Sequence, residues 1–265
     1  MKYELTDKTM ELFGRKLHRI RAVMDFRLSN GRTVKSGDLG GWIEQESNLS
    51  QDGNAWVFDS ALVYGSAQVY DSAQVYGSAQ VCDSARVYDS AQVYGSAQVF
   101  DSALVYGSAQ VYDSALVYGS AQVCDLACVY GFARVYGSAR VCDSARVYDS
   151  AQVYGSAQVF DSALVYGSAQ VYDSAWVYGS AWVCDSARVA NNNHWLSIGP
   201  IGSRDGTTTF TRDKAGTIHV KCRCFCGTID EFREKVKETH AGNAHEKAYL
   251  AAADLAEKRI NTTPI

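Results

Sequence analysis

Proline is nearly missing from this sequence. Only Pro200 and Pro264 occur in 265 residues, which excludes collagen-like and proline-rich disordered chains. No run approaches the eighteen apolar residues of a membrane helix, and the opening Met1-Lys2-Tyr3-Glu4-Leu5 has no apolar leader segment. We therefore expect a cytoplasmic protein with no membrane association. Basic residues form no stripe, and between residues 55 and 189 twelve Asp outnumber five Arg, so nucleic acid is not an expected partner. Histidine is absent from that same stretch, and with it any general base or histidine-built zinc cage there.

What fills the middle is a repeat. From Ala55 the chain reads Ala-Trp-Val-Phe-Asp-Ser, Ala-Leu-Val-Tyr-Gly-Ser, Ala-Gln-Val-Tyr-Asp-Ser, and Val recurs at every sixth position from Val57 to Val189. Ala and Val stand two apart, so in a short strand both point to one side, while the variable residue and the aromatic point to the other. Val and Ala are the core face. The following Gly or Asp and Ser are turn residues, which places a corner after each strand. The expected organisation is an N-terminal β cap (1–54), a solenoid (55–190) and a C-terminal module (191–265).

An aliphatic residue followed four positions later by a small one resembles the hexapeptide repeat of left-handed parallel β-helices. That resemblance implies a mainly β fold with three hexads per triangular coil and about 7–8 coils. A flattened solenoid with two hexads per coil is the alternative, drawn from the partial alternation of Gly and Asp at the corners. That alternation fails at Asp83-Asp89 and Gly131-Gly137. Residues 82–125 and 142–185 are a duplicated block, identical except at Leu116/Trp176 and Gln122/Trp182. The offset is ten hexads, not a multiple of three, so the second copy is expected one face round from the first.

The aromatic after each core Val faces outward and forms ladders along the rod. Stacked neighbours stabilise each other as cross-strand pairs do, and a continuous aromatic surface also suits an interface with a second copy or a protein partner. The late changes to tryptophan direct attention to the C-terminal coils, with Tyr166, Tyr172, Trp176, Tyr178 and Trp182 as interaction candidates. Eight cysteines occur, five of them at repeat positions as substitutions rather than a framework. We expect reduced thiols, although Cys124 and Cys142, eighteen apart, stack on adjacent coils where oxidation would join them.

The ends must cover the bare edges of the first and last coils. Trp42 and Ile43, after the glycines of Gly37-Asp38-Leu39-Gly40-Gly41, are expected to plug the first. Beyond Val189, a hairpin over 207–212 and 217–225 is followed by Thr228-Ile229-Asp230-Glu231, a capping-box start for one helix, and by a second, Ala-rich helix from 244 to 260. Cys222, Cys224 and Cys226, with His219, are the only metal-like cluster. Their alternate spacing reads as one face of a strand, so no metal and no cofactor is expected.

Many left-handed β-helix proteins are trimeric acyltransferases with a histidine base, and some are carbonic anhydrases. His194, just past the last hexad, is the one histidine placed for such a role. The whole chain also resembles a group of bacterial and phage-associated hexapeptide-repeat proteins labelled polymer-forming or cytoskeletal-like. The shared segments are Lys2-Tyr3-Glu4-Leu5-Thr6-Asp7, Gly37-Asp38-Leu39-Gly40-Gly41-Trp42, Gly227-Thr228-Ile229-Asp230-Glu231-Phe232 and Lys237-Glu238-Thr239-His240. The resemblance implies a solenoid scaffold, cellular or phage-encoded, with no catalytic residue to carry over, and the aromatic faces and terminal module lead us to expect a non-catalytic scaffold that self-associates through them. An acyltransferase-like enzyme and a phage-type inhibitor or ligand sponge are the alternatives.

Overall fold

The computed structural model describes residues 1–263. Each hexad contributes one two-residue strand, the variable residue and its Val, and strands three hexads apart pair in parallel and in register, as Gln80–Val81 does with Gln98–Val99. Three parallel sheets result, each taking every third strand. The coil therefore holds three hexads, and the two-hexad alternative is ruled out. Every Ala and Val of the repeat is buried, at no more than 1% exposure. Ala stands directly after the corner and Val is the second residue of each strand.

The corners explain the restriction to Gly and Asp. This position has positive φ at each corner, for example 58° at Asp101 and 68° at Gly107. Glycine adopts that region freely and Asp more readily than most other residues. Asp adds a second function, because its carboxylate accepts the corner N–H one coil further on: Gly119 donates to Asp101 at 3.0 Å and Gly179 to Asp161 at 2.8 Å. The acidic corners thus bind the rod to itself.

The aromatic rings form three ladders. On the third face Tyr76, Tyr94 and Tyr112 follow each other at 4.8 Å with planes 2° apart, and the run continues through Tyr130 and Tyr148 to Tyr166 at 5.0 Å. Several hydroxyls donate to a Gln of the next coil, as Tyr76 does to Gln92 Oε1 at 3.0 Å. On the second face Cys124 and Cys142 replace two rings. Their Cα atoms are 4.6 Å apart and the pair is a disulfide, which corrects the expectation of reduced thiols for these two; the other six cysteines are free. In-register stacking brings positions one coil apart within disulfide reach.

The solenoid begins earlier than the visible repeat. Strand β5 (Leu39–Ile43) pairs in parallel with Leu62–Val63, with Ile43 opposite Val63, and Leu49 bridges to Val69. Ile43 and Leu49 therefore fill core positions, about eight coils in all. The expected plug is only half right. Ile43 is buried, whereas the Trp42 ring faces outward beneath Lys8 and Arg19. The first coil is closed instead by an antiparallel hairpin, β1 (Tyr3–Leu12) and β2 (Arg15–Ala22), which buries Trp56 to 1% exposure among Tyr3 and Phe26. β3 (Phe26–Arg27) and β4 (Thr33–Val34) form a small second hairpin.

The two ends differ chemically because the ladder has a direction: the N–H groups that bond between coils donate to a carbonyl seventeen residues ahead, as Tyr166 does to Val183. The first coil is left with carbonyls and the last with N–H groups. At the start the caps are donors. Lys2 Nζ donates to the Ala55 carbonyl at 2.8 Å and Tyr3 Oη to that of Leu49 at 2.7 Å, and burial pushes the Lys2 ammonium down to about 8. Lys2→Met strands the Ala55 carbonyl, an expected loss of about 1–3 kcal/mol. Amide hydrogen exchange should show faster opening of the first coil only, and unchanged exchange there would refute this role.

After Val189 comes a four-stranded antiparallel sheet of Trp195–Ile201, Gly206–Arg212, Ile218–Cys222 and Phe225–Thr228. Helices α1 (Ile229–His240) and α2 (Ala244–Arg259) pack on it. Thr228 and Glu231 make the expected capping box. Phe210, Phe232, Val236, Tyr249 and Ala253 form this module's own core. Neither helix is long and apolar enough to cross a membrane.

Candidate functional site at the C-terminal end of the rod

The last coil needs hydrogen-bond acceptors, and the terminal segment supplies them. Trp176 N–H donates to Asn192 Oδ1 at 2.8 Å, Trp182 N–H to Thr209 Oγ1 at 3.0 Å, and Ala190 N–H to His194 Nδ1 at 3.2 Å. Trp195 closes the hydrophobic core from this side, at 6% exposure, and meets Tyr178 edge-on at 5.2 Å. Here the candidate residues separate into groups.

Tyr166 and Tyr172 are ladder rings, stacked on Tyr148 and Tyr154. Trp182 is half covered by the terminal sheet, with Lys221 Nζ 5.7 Å above its ring. Trp176 and Tyr178 are more open: both are 47% exposed, Trp176 on the last strand of the second face and Tyr178 just after it, where Tyr178 ends its ladder by stacking on Phe160 at 5.5 Å. A recess of about 330 Å³ opens beside Tyr178, between Trp195, Thr207 and Arg259.

His194 is only 4% exposed. Its Nδ1 accepts from Ala190, and its Nε2 lies 3.3 Å from Asn191 Nδ2. Burial, with Arg212 nearby, holds it below the usual histidine range. The single lone pair of the neutral ring, on Nδ1, is thus committed to the turn that takes the chain off the rod.

The expected alignment of Cys222, Cys224 and Cys226 on one face is corrected. Arg223 takes φ 51° and, with Cys224, forms a tight turn between two strands where a single strand was expected. Cys222 points into the module, accepting from Thr208 Oγ1 at 3.1 Å near Tyr249. Cys224 is exposed at the turn. Cys226 faces the rod, where its Sγ donates to Asp185 Oδ2 at 2.8 Å, beside Cys184. Burial pushes the Cys184 and Cys226 thiols up, while the bond from Cys226 holds Asp185 down. A cavity of about 400 Å³ lies behind the same turn. Phe225, Phe232 and Val236 give it an apolar floor, and Arg204, Arg223 and Lys235 a basic rim.

The fold and its ends define a repeat protein of the parallel β-solenoid class, about eight coils long, with a strand cap at the start and a sheet-and-helix module at the finish. Within it, residues 79–95, 109–125 and 139–155 match the family model described as the YdcK beta solenoid repeat. Each matched segment spans about one coil. No curated protein matches the chain.

Proposed function

We propose that this protein is a non-catalytic scaffold, a stiff rod that holds an interaction surface at its C-terminal end and associates with further copies through it. The observation that carries this reading is the contrast between ladder and end. Along the rod, rings such as Tyr148 are covered by stacked neighbours on both sides, whereas at the end of the second face Tyr178 stacks on Phe160 alone, meets Trp195 only edge-on, and stands half exposed beside the half-exposed Trp176. Exposed, adjacent aromatics are the residue types that dominate protein interfaces.

The burial of His194 and the commitment of its Nδ1 lone pair to the Ala190 N–H weigh against the acyltransferase alternative, for which it was the candidate base. The commitment of the corner carboxylates to neighbouring amides weighs against an acidic mimic.

Light scattering over a concentration series tests the proposal. We expect mass to grow with concentration and the growth to weaken at least tenfold in Trp176→Ala with Tyr178→Ala. A constant monomer mass, or growth indifferent to both changes, would refute it. Trp182→Ala should act differently, by loosening the terminal sheet rather than by removing an exposed contact.

A further inference from the structure

Cys184 ends the ladder of Tyr76 to Tyr166. It is the duplicated counterpart of Cys124, displaced by sixty residues. Inside the rod Cys124 finds its partner one coil on, at Cys142. For Cys184 that position lies beyond the last coil. The terminal sheet supplies a cysteine instead: Cys226, on the strand that covers this corner. The Sγ atoms of Cys184 and Cys226 and a carboxylate oxygen of Asp185 all lie within 4.8 Å of one another.

We propose that Cys184, Asp185 and Cys226 form a binding site for a thiophilic divalent cation, Zn²⁺ being the best match, that fastens the terminal module to the rod. Two thiolates and a carboxylate are a donor set that Zn²⁺ prefers. Zn–S bonds of ~2.3 Å and Zn–O bonds of ~2.0–2.2 Å in tetrahedral geometry put the donors roughly 3.5–3.8 Å apart. The Cys226 Sγ–Asp185 Oδ2 distance of 2.8 Å opens to that spacing when the ion replaces the shared proton, and the fourth position is left to water.

The charges also suit a cation of +2. Binding releases the two thiol protons to solvent, so three negative ligands surround the ion. Lys221, directly across the strand pair from Cys226, offsets the remaining negative charge. In the rod, Cys124, Asp125 and Cys142 form the same trio, but the disulfide removes both thiolates, which leaves the terminal cluster as the one of these two, among the described residues, that can coordinate.

The test is titration of the full-length, phosphine-reduced protein with Co²⁺, whose thiolate charge-transfer and tetrahedral visible bands report the ligands. Reduction also opens Cys124–Cys142, so the experiment is run on wild type and on Cys142→Ser. We expect one equivalent of Co²⁺ with thiolate bands in Cys142→Ser, displaced by Zn²⁺, abolished by adding Cys226→Ser and retained with Cys128→Ser or Cys224→Ser. Cys226 is exposed, so its replacement should leave the fold intact, as far-UV circular dichroism would verify. Absence of thiolate bands in Cys142→Ser, or bands that persist once Cys226 is replaced, would overturn the proposal. So would Zn²⁺ failing to slow oxidative joining of Cys184 to Cys226. None of these readouts depends on oligomeric state, so they stand or fall apart from the scaffold reading.

Discussion

Val117→Asp should cost about 4 kcal/mol or more and divide the rod near its middle. Val117 is fully buried and sits between Val99 and Val135 on the first face. A carboxylate placed there has no partner and no water, and must either be protonated or force the coil open. In a solenoid each coil touches only its neighbours, so stability is close to a sum of coil and interface terms. A damaged terminal coil frays, but a damaged central coil leaves two short stacks, each with one new bare edge.

Chemical denaturation of the parent should be nearly all-or-none. The variant should show a lower midpoint and a broadened or split transition, with amide exchange fastest around residues 99 to 135. Gln98→Asp is the control. It lies on the same face one coil away but points into solvent, and is expected to change stability by no more than about 0.5 kcal/mol. Equal effects from the two would refute the assignment of inside and outside.

That assignment was legible in the sequence because two-residue alternation and a six-residue period leave little freedom: Ala and Val inward, ring outward, corner next. The three-hexad coil was less directly legible, since nothing within one hexad states how many make a turn. The first coil was hidden by spacing. Ile43 and Leu49 are six apart, but Leu49 and Val57 are eight apart, and the extra residues break the frame although the core ladder continues through them. In the terminal module the helices carried ordinary capping signals, whereas the turn at Arg223-Cys224 did not. No glycine or asparagine marks it, and a non-glycine residue at positive φ is not foreseeable from its identity. That turn is why the three cysteines part, and why Cys226 reaches a rod cysteine forty-two residues earlier in the chain. The half-exposed pair Trp176 and Tyr178 was found through the duplication, because Trp176 is one of the two positions at which the copies differ.

The ladders themselves make the alkaline limit of the fold predictable. Burial pushes many of the ladder phenols up, and close neighbours add to it: Tyr112, with Tyr130 and Cys128 beside it, and Tyr148, with Tyr130 and Asp149, are both raised to about 12. Tyr70, Tyr88, Tyr136 and Tyr154 shift in the same direction, again chiefly through burial. An unfolded tyrosine releases its proton near pH ~10. Because the folded chain binds these protons more tightly than the unfolded chain does, their contribution to stability is complete below pH ~10. It is lost as the pH rises through the folded values. Ionising one ring also places a negative charge about 5 Å from the next ring in the stack, so phenolates should appear together as coils part rather than one at a time. In a spectrophotometric titration we expect the native protein to form most of its phenolate above pH ~11, coincident with loss of the far-UV β signal, while the same protein in denaturant titrates near ~10. Native phenolate forming near pH 10 with the β signal intact would mean that the rings are free of one another, and that the ladders do not hold the coils together.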